Sequence, residues 1–224
     1  MFKRAFYFCI FAVCLSLFTG GLSDGGGKGK GKDKKDDPKY NNPTFVPTAD
    51  EVIEKMFEMG KVNKNDLIFD LGCGDNRICF MAAKKFGCRG VGIETNPVRI
   101  REAMDMFDKY NKDDAISYGT SVKLPLVETR HGDALAMKDI GDATVVVMYM
   151  FPEFMNYWFP IANAKLKPGT RILSHDYSWK KEDVKEMFNL DAWEPVAEVT
   201  VKSTSRDNHK VLMWVVPEKK KSTR

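Results

Sequence analysis

The stretch Ile68-Phe69-Asp70-Leu71-Gly72-Cys73-Gly74-Asp75-Asn76-Arg77-Ile78 constrains this chain more than any other. A short apolar strand meets an acid, breaks into a glycine loop and restarts as a helix. Two glycines one residue apart let the backbone turn sharply and approach a ligand closely, where a Cβ would clash. Further on, Gly90-Val91-Gly92-Ile93-Glu94 reads as a second buried strand ending in an acid. Its distance from the loop is roughly the twenty residues at which a βαβ unit places a carboxylate on a nucleotide ribose.

The spacing narrows the ligand. A dinucleotide fingerprint needs a third glycine three residues after Gly74, where this chain has Arg77, and the loop lacks the Lys-Ser/Thr ending of a P-loop. Asp-x-Gly-x-Gly at a strand end, with Glu closing the next strand, resembles the class I S-adenosylmethionine (SAM) methyltransferases. The resemblance implies that Gly72 and Gly74 pass the methionine part of SAM and that Glu94 takes the ribose hydroxyls. It also implies that Asp70 reaches the SAM amino group through water.

At 224 residues and 43% hydrophobic content, the chain allows one domain of ordinary size plus a tail. Much of the net charge of +4 sits in one lysine-rich tract and the extreme C-terminus, so the folded part is nearly balanced. That argues against a large nucleic-acid face. Cys9 and Cys14 lie in an N-terminal apolar run; Cys73, Cys79 and Cys88 have no C-x-x-C spacing, so no metal site is expected and the thiols read as small buried side chains.

Lys3 and Arg4 precede an apolar run from Ala5 to Phe18, the pattern of a secretory signal. A cleaved signal peptide and an uncleaved membrane anchor both fit residues 1–22. For an anchor, the lysines at 28, 30, 32, 34 and 35 lean the domain toward the cytosolic side. The expected location is therefore membrane-associated or organellar, mitochondrial or endomembrane, with secretion as the alternative. Residues 23–39 are glycine, lysine and aspartate with almost nothing to bury, a disordered linker. The domain is expected over 40–217, followed by a basic tail, 218–224.

Tyr40 to Thr48 is an extended, proline-braced approach. Thr48 is expected to cap a helix over Ala49–Met59, with Glu51 completing a capping box. The lead-in, the capped helix and Asp-Leu-Gly-x-Gly-Asp-x-Arg-Ile resemble a small methyltransferase group that includes the mitochondrial lysine methyltransferases of ATP synthase subunit c. By that resemblance the Phe45–Thr48 segment lies over the methionine end of SAM, which makes Thr48 a cofactor candidate. The group carries a third glycine where this chain has Asn76, a residue that tolerates left-handed backbone angles. Asp75 is expected beside the loop amides, capping the next helix.

Downstream, Asn96-Pro97 starts a helix whose expected buried stripe is Ile100, Ala103, Met104 and Phe107. An enlarged loop is expected from Asn111 to Lys123. After the strand at Leu126–Arg130, the resemblance assigns the adenine amino group to Asp133 and a backbone amide contact to Ala134; His131 receives no role. Asp142–Pro152 is an apolar strand ending in Tyr149-Met150-Phe151-Pro152, which is not the Asn/Asp-Pro-Pro-Tyr/Phe motif of base-methylating enzymes. Tyr149 and Phe151 can wall a lysine channel by stacking on its alkyl stem, or simply pack in the core. His175 and Asp176, at the end of the next strand, can accept a proton from an amine or form structural hydrogen bonds.

The whole reads as an α/β, Rossmann-like three-layer sandwich: a mostly parallel seven-stranded sheet with an antiparallel C-terminal hairpin. The expected cofactor is SAM. The expected acceptor, by resemblance, is a protein lysine amine; the alternatives are a small-molecule acceptor and a non-catalytic scaffold that keeps the fold. No nucleic-acid partner is expected, membrane association would come through the N-terminal segment, and nothing indicates an oligomer.

Overall fold

The computed structural model describes residues 45–113 and 126–219, with the side chains of 109–113 left aside. The expectations for the signal or anchor, the linker, Tyr40 to Thr44, most of the enlarged loop and residues 220–224 lie outside the described residues.

The elements run in order as α1 (Asp50–Met59), β1 (Leu67–Leu71), α2 (Arg77–Phe86), β2 (Arg89–Glu94) and α3 (Pro97–Asp113), then β3 (Val127–His131) and β4 (Val145–Met148). They continue with α4 (Pro152–Lys165), β5 (Arg171–His175), α5 (Lys181–Phe188), β6 (Ala197–Val201) and β7 (His209–Val215). The strands form one seven-stranded sheet in the order β3-β2-β1-β4-β5-β7-β6. The first five are parallel, while β7 runs antiparallel to both β5 and β6. The expected architecture is the observed one.

Strand alternation sorts the core into two layers. Phe69, Leu71, Val146, Met148 and Ile172 meet Met155, Trp158 and Phe159 of α4 on one face. Ile68, Val145, Val147 and Leu173 meet Val52, Ile53, Met56 and Phe57 of α1, with Ile78 and Cys79 of α2, on the other. This period of two follows from successive side chains pointing to opposite sides of a pleated strand. At the amino ends of the strands, buried Asp66 accepts from the Thr144 hydroxyl, Arg171 and the Asn63 N–H, tying β1, β4 and β5 together. The strand order reverses between β1 and β4, so the loops that follow Leu71 and Met148 open at the carboxyl edge where such sheets bind ligands.

Two local expectations change. Helix α1 begins at Asp50 with Ala49 as its N-cap and no side-chain cap; Thr48 is buried and its hydroxyl meets His175, while Glu51 accepts from the Thr204 N–H. A long-range partner for each residue replaces the capping box. In α3, Ala103 is buried but Met104 is 64% exposed. Phe107, also expected in the buried stripe, is exposed, with its ring 6.3 Å from Phe80, while Met106 packs on the core. The three described cysteines are buried and free. Among the described residues, no helix is long and apolar enough to cross a membrane.

Candidate active site

The loop between β1 and α2 holds three left-handed residues, Gly72 (φ 73°), Gly74 (φ 56°) and Asn76 (φ 61°). Asn76 thus takes the backbone form expected of it. Its side chain also does work a glycine could not, donating to the Thr129 hydroxyl at 2.8 Å and the Glu128 carbonyl at 3.2 Å on β3. The Gly72 and Cys73 N–H groups both donate to the Ile93 carbonyl, at 2.9 and 3.0 Å. A Cβ on Gly72 would lie 2.6 Å from Met150 Sδ, and one on Gly74 would overlap the Phe45 ring. Phe45 in turn lies under the Arg99 guanidinium, 4.5 Å from its ring centroid. The lead-in segment therefore packs directly on the glycine loop.

Glu94 closes β2 and organises the same edge. Its Oε2 accepts from the Gly74 N–H at 2.9 Å, and its Oε1 accepts from the Thr95 and Asn96 N–H groups at 2.8 Å each. Oε2 keeps a second lone pair beyond the Gly74 bond. Asp75 pairs with Arg77 through two guanidinium nitrogens, at 2.6–3.1 Å, and accepts from the Arg77 N–H at 3.2 Å. Its side chain thus engages the first turn of α2. Asp133, exposed, accepts from the Leu135 N–H at 2.8 Å; Ala134 beside it is buried, and the neighbouring Gly132 N–H bonds the Glu94 carbonyl. His131, given no role from sequence, meets the Thr95 carbonyl through Nε2 at 3.0 Å.

Asp70 is 3% exposed, and its Oδ2 has no hydrogen-bond partner. Burial, followed by the charges of Asp75 and Glu94, pushes its carboxyl up to about 8. A buried carboxyl with an unsatisfied oxygen beside two further carboxylates is kept neutral by its proton in the free protein and is suited to a cationic donor.

On the far side of the switch point, Tyr149, Phe151, His175, Asp176 and Tyr177 come together. The Tyr149 ring lies 3.9 Å from the His175 ring and 5.8 Å from Tyr177, and Phe151, 49% exposed, lies 5.3 Å from Tyr177. The Tyr149 hydroxyl donates to Asp176 Oδ2 at 3.2 Å, and burial with the Asp176 charge pushes its own ionisation up to about 12. His175 is 1% exposed, and both of its ring nitrogens are engaged, with the Thr48 hydroxyl (3.2 Å) and His209 Nδ1 (2.8 Å). Burial pushes it down to about 4, so it is neutral at pH 7. Asp176 holds φ 63° and accepts from Arg206, the Lys210 N–H and Tyr149. Burial alone would raise its carboxyl; the Arg206 and Lys210 donors hold it below its ordinary value. In this arrangement neither His175 nor Asp176 is a free base.

Sequence reading missed Phe45 and Met150 as side chains seated on the bare glycines, and Tyr177, Arg206 and His209 around Asp176. Tyr177 was visible as the third aromatic near a strand end. The other two depend on the register of the antiparallel hairpin. A groove of about 660 Å³ between α1, α2 and β6, lined by residues such as Glu54, Lys85 and Lys202, contains none of the candidate residues.

The fold and the loop define a SAM-dependent methyltransferase of class I. A family model for the ANTKMT methyltransferase domain matches residues 70–197, more than half of the chain, and the chain belongs to that family. A protein-lysine N-methyltransferase of Saccharolobus islandicus (strain REY15A) is 33% identical over 177 residues, covering 79% of this chain and 95% of that protein. Among solved structures, the RNA methyltransferase of Salinibacter ruber in complex with S-adenosyl-L-homocysteine is also 33% identical. It has a TM-score of 0.61 and covers 78% of this chain and 95% of its own. The M1A22 tRNA methyltransferase of B. subtilis, 12% identical with a TM-score of 0.56 over 78% of this chain and 68% of its own, shares the fold alone.

SAM is the cofactor, and the residues present fit it. The unsatisfied Asp70 oxygen and the carboxylates of Asp75 and Glu94 suit a ligand that carries an ammonium and a sulfonium. Glycines at positions where a Cβ would meet a neighbour let the backbone pass close. The family match removes the non-catalytic scaffold from the alternatives.

Proposed function

We propose that the chain methylates a protein lysine ε-amine. The observation that carries the reading is the group of Tyr149, Phe151 and Tyr177 rings at the ends of β4 and β5, one residue from the Met150 side chain that packs on Gly72. When bound, SAM supplies an electrophilic methyl carbon on a sulfonium. The residues assigned to hold it are Gly72 and Gly74 through backbone, Asp70 for the ammonium, Glu94 for the ribose hydroxyls, and Asp133 with the Ala134 N–H for adenine. Asp75 and Thr48 shape the loop and the lead-in around it. On the acceptor side the rings stack along the four-carbon stem of a lysine. They also desolvate the ammonium, which lowers its pKa from about 10.4 toward the neutral form that attacks. Geometry does most of the remaining work, because in-line approach of a neutral amine needs little base catalysis.

The relatives' names point to two macromolecules, and charge favours protein. Residues 42–219 hold 24 Lys and Arg against 27 Asp and Glu, the wrong balance for a phosphate-binding face. The test is transfer of tritiated methyl from SAM to a lysine-containing peptide, to the same peptide with arginine for lysine, and to total RNA. Label in the lysine peptide alone is expected. Label in RNA and none in peptide refutes the lysine reading, and label in small metabolites alone moves the acceptor to that class.

We infer that the N-terminal segment acts as a signal or anchor and that the domain works at a membrane or in an organelle, with secretion as the alternative. The lysine-rich tract after the apolar run supports an anchor with the domain on the cytosolic side. In fractionated cells the full chain is expected in the membrane or organelle pellet, and a chain starting at Tyr40 in the soluble fraction. Equal distribution of the two would remove the assignment.

A further inference from the structure

Among the described residues outside the glycine loop, a cluster of metal-ligand-type groups lies where β5 meets the turn between β6 and β7. The ligand-type atoms of His175, Asp176 and His209 lie within 4.8 Å of one another. A cation already sits on two of them. Arg206 Nη2 donates to Asp176 Oδ1 at 2.7 Å and Oδ2 at 2.6 Å, and lies 2.9 Å from His209 Nδ1. The arrangement is that of a guanidinium clamp rather than an open metal centre.

Arg206 also fixes the proton positions around it. A guanidinium has donors only, so His209 Nδ1 accepts and its proton sits on Nε2, directed to the Ser203 hydroxyl oxygen at 2.8 Å. His175 Nε2 lies 2.8 Å from the same His209 Nδ1 and 3.5 Å from Asp176 Oδ2. His175 Nδ1 meets the Thr48 hydroxyl at 3.2 Å. The turn that presents Arg206 is itself ordered: the Ser203 N–H donates to the Arg206 carbonyl at 2.8 Å, and the Ser203 hydroxyl accepts from the Ser205 N–H at 3.1 Å. One surface turn thereby engages a buried imidazole and a carboxylate together.

The consequence reaches the acceptor wall. Asp176 accepts from Arg206 on both oxygens, from the Lys210 N–H on Oδ1 and from the Tyr149 hydroxyl on Oδ2. The Tyr149 ring is held between His175 on one side and Tyr177 on the other. We propose that Arg206, reaching in from the C-terminal hairpin, is a positioning residue of the methyl-transfer site: through the Asp176 carboxylate it sets the Tyr149 ring against which the acceptor amine is placed. The proposal rests on the amine-acceptor reading above, and gives the antiparallel hairpin a part in transfer.

The groups facing Asp176 are Arg206 from the turn, His175 on its own strand, His209 and the Lys210 N–H on β7, and Tyr149 and Tyr177 from the aromatic wall. Glu51 of α1 acts on His209. Removing Arg206 takes away the only cation bonded to Asp176 among the described residues, so the carboxyl should protonate at higher pH. Arg206→Met and Arg206→Lys are compared in the full chain, with the lysine peptide as acceptor. Arg206→Met is expected to lower kcat tenfold or more while S-adenosylhomocysteine affinity stays within twofold. Arg206→Lys should restore part of the rate. In ¹⁵N NMR, the wild-type His209 should show the Nε2–H tautomer, mixed in Arg206→Met.

Tyr149→Phe keeps the ring and removes the hydroxyl. The double variant with Arg206→Met should be no slower than the slower single variant, because both act through one contact. Three outcomes overturn the proposal: wild-type kcat in Arg206→Met, losses of kcat and cofactor affinity in parallel with no rescue by Arg206→Lys, or additive effects in the double variant. If Arg206→Met does not fold, Tyr149→Phe decides, and wild-type kcat there overturns the proposal. Absence of lysine methylation by the wild-type enzyme fells the amine reading and this proposal together; wild-type lysine activity that Arg206→Met retains fells this proposal alone.

Discussion

Glu94→Ala is expected to weaken S-adenosylhomocysteine binding by at least about 100-fold, or about 2.7 kcal/mol. The carboxylate accepts three backbone N–H groups, from Gly74, Thr95 and Asn96, and these bonds fix the glycine loop against the start of α3. Alanine removes both the acceptor meant for the ribose hydroxyls and the brace that shapes the loop. Charge-assisted bonds of this kind contribute about 1.5–3 kcal/mol each where they are desolvated. Glu94 is only half-buried and its partners can turn to water, so the expected loss of folding stability is about 2 kcal/mol in total. Glu94→Gln should fall between wild type and Glu94→Ala, because its amide offers one oxygen where the carboxylate offers two. Calorimetry with the three proteins, each checked for cooperative melting, makes the comparison. Wild-type affinity in a folded Glu94→Ala protein would remove Glu94 from the site.

The second large effect is expected at Asp70. In the free protein its carboxyl titrates near 8, raised first by burial and then by Asp75 and Glu94. At pH 7 it is therefore mostly protonated. An ammonium seated on its unsatisfied oxygen would favour the ionised form, so cofactor binding at pH 7 should release close to one proton. The readout is the slope of binding enthalpy against buffer ionisation enthalpy. That slope should vanish in Asp70→Asn, where the side chain cannot ionise and affinity should fall at least tenfold.

The same group makes a stability claim whose sign is opposite to that of a salt-bridged acid. Its folded pKa lies above its unfolded value of 3.8, so the folded state binds the extra proton between those two values. The contribution of Asp70 to the stability of the free protein, read as the difference from Asp70→Asn, should fall as pH rises from about 4 to about 8 and level off beyond. Asp70→Asn should be the more stable of the two at pH 9, by up to a few kcal/mol at about 1.4 kcal/mol per pKa unit. Equal melting temperatures at pH 9 and no proton release at pH 7 would show that Asp70 is an ordinary ionised carboxylate.

What was legible in the sequence is local and periodic. The strand at Ile68–Leu71, the loop, the second acid and the left-handed backbone at Asn76 all follow from residues within one βαβ unit. The apolar faces of α1 and α2 follow from helical spacing. What was not legible depends on contacts between distant segments. Thr48 has the chemistry of an N-cap, yet its hydroxyl lies against His175, 127 residues away. His175 and Asp176 looked like a candidate base because they are adjacent to each other. Their partners, Arg206 and His209, arrive only through the antiparallel pairing of β5 with β7, which sequence spacing does not specify. Met104 marks the limit of a single-helix pattern: the choice among neighbouring faces is made by the sheet beneath.

The loop also shows why a departure from a family pattern need not weaken a site. Asn76 keeps the positive φ that a glycine would take and adds two hydrogen bonds to β3. The loop is thereby tied to the strand that leads into Asp133, so the elements assigned to ribose and adenine are held on one frame.

The measurement that tests the site most directly is a residue-resolved ¹H–¹⁵N NMR titration of the full chain with SAM. Micromolar binding is expected, roughly −8 kcal/mol. The largest shifts should fall on the amides of Gly72, Gly74, Thr95, Asn96 and Ala134. A folded protein that binds no SAM, or one whose shifts gather in the groove between α1, α2 and β6 and spare those amides, would contradict the assignment of the cofactor to the glycine loop.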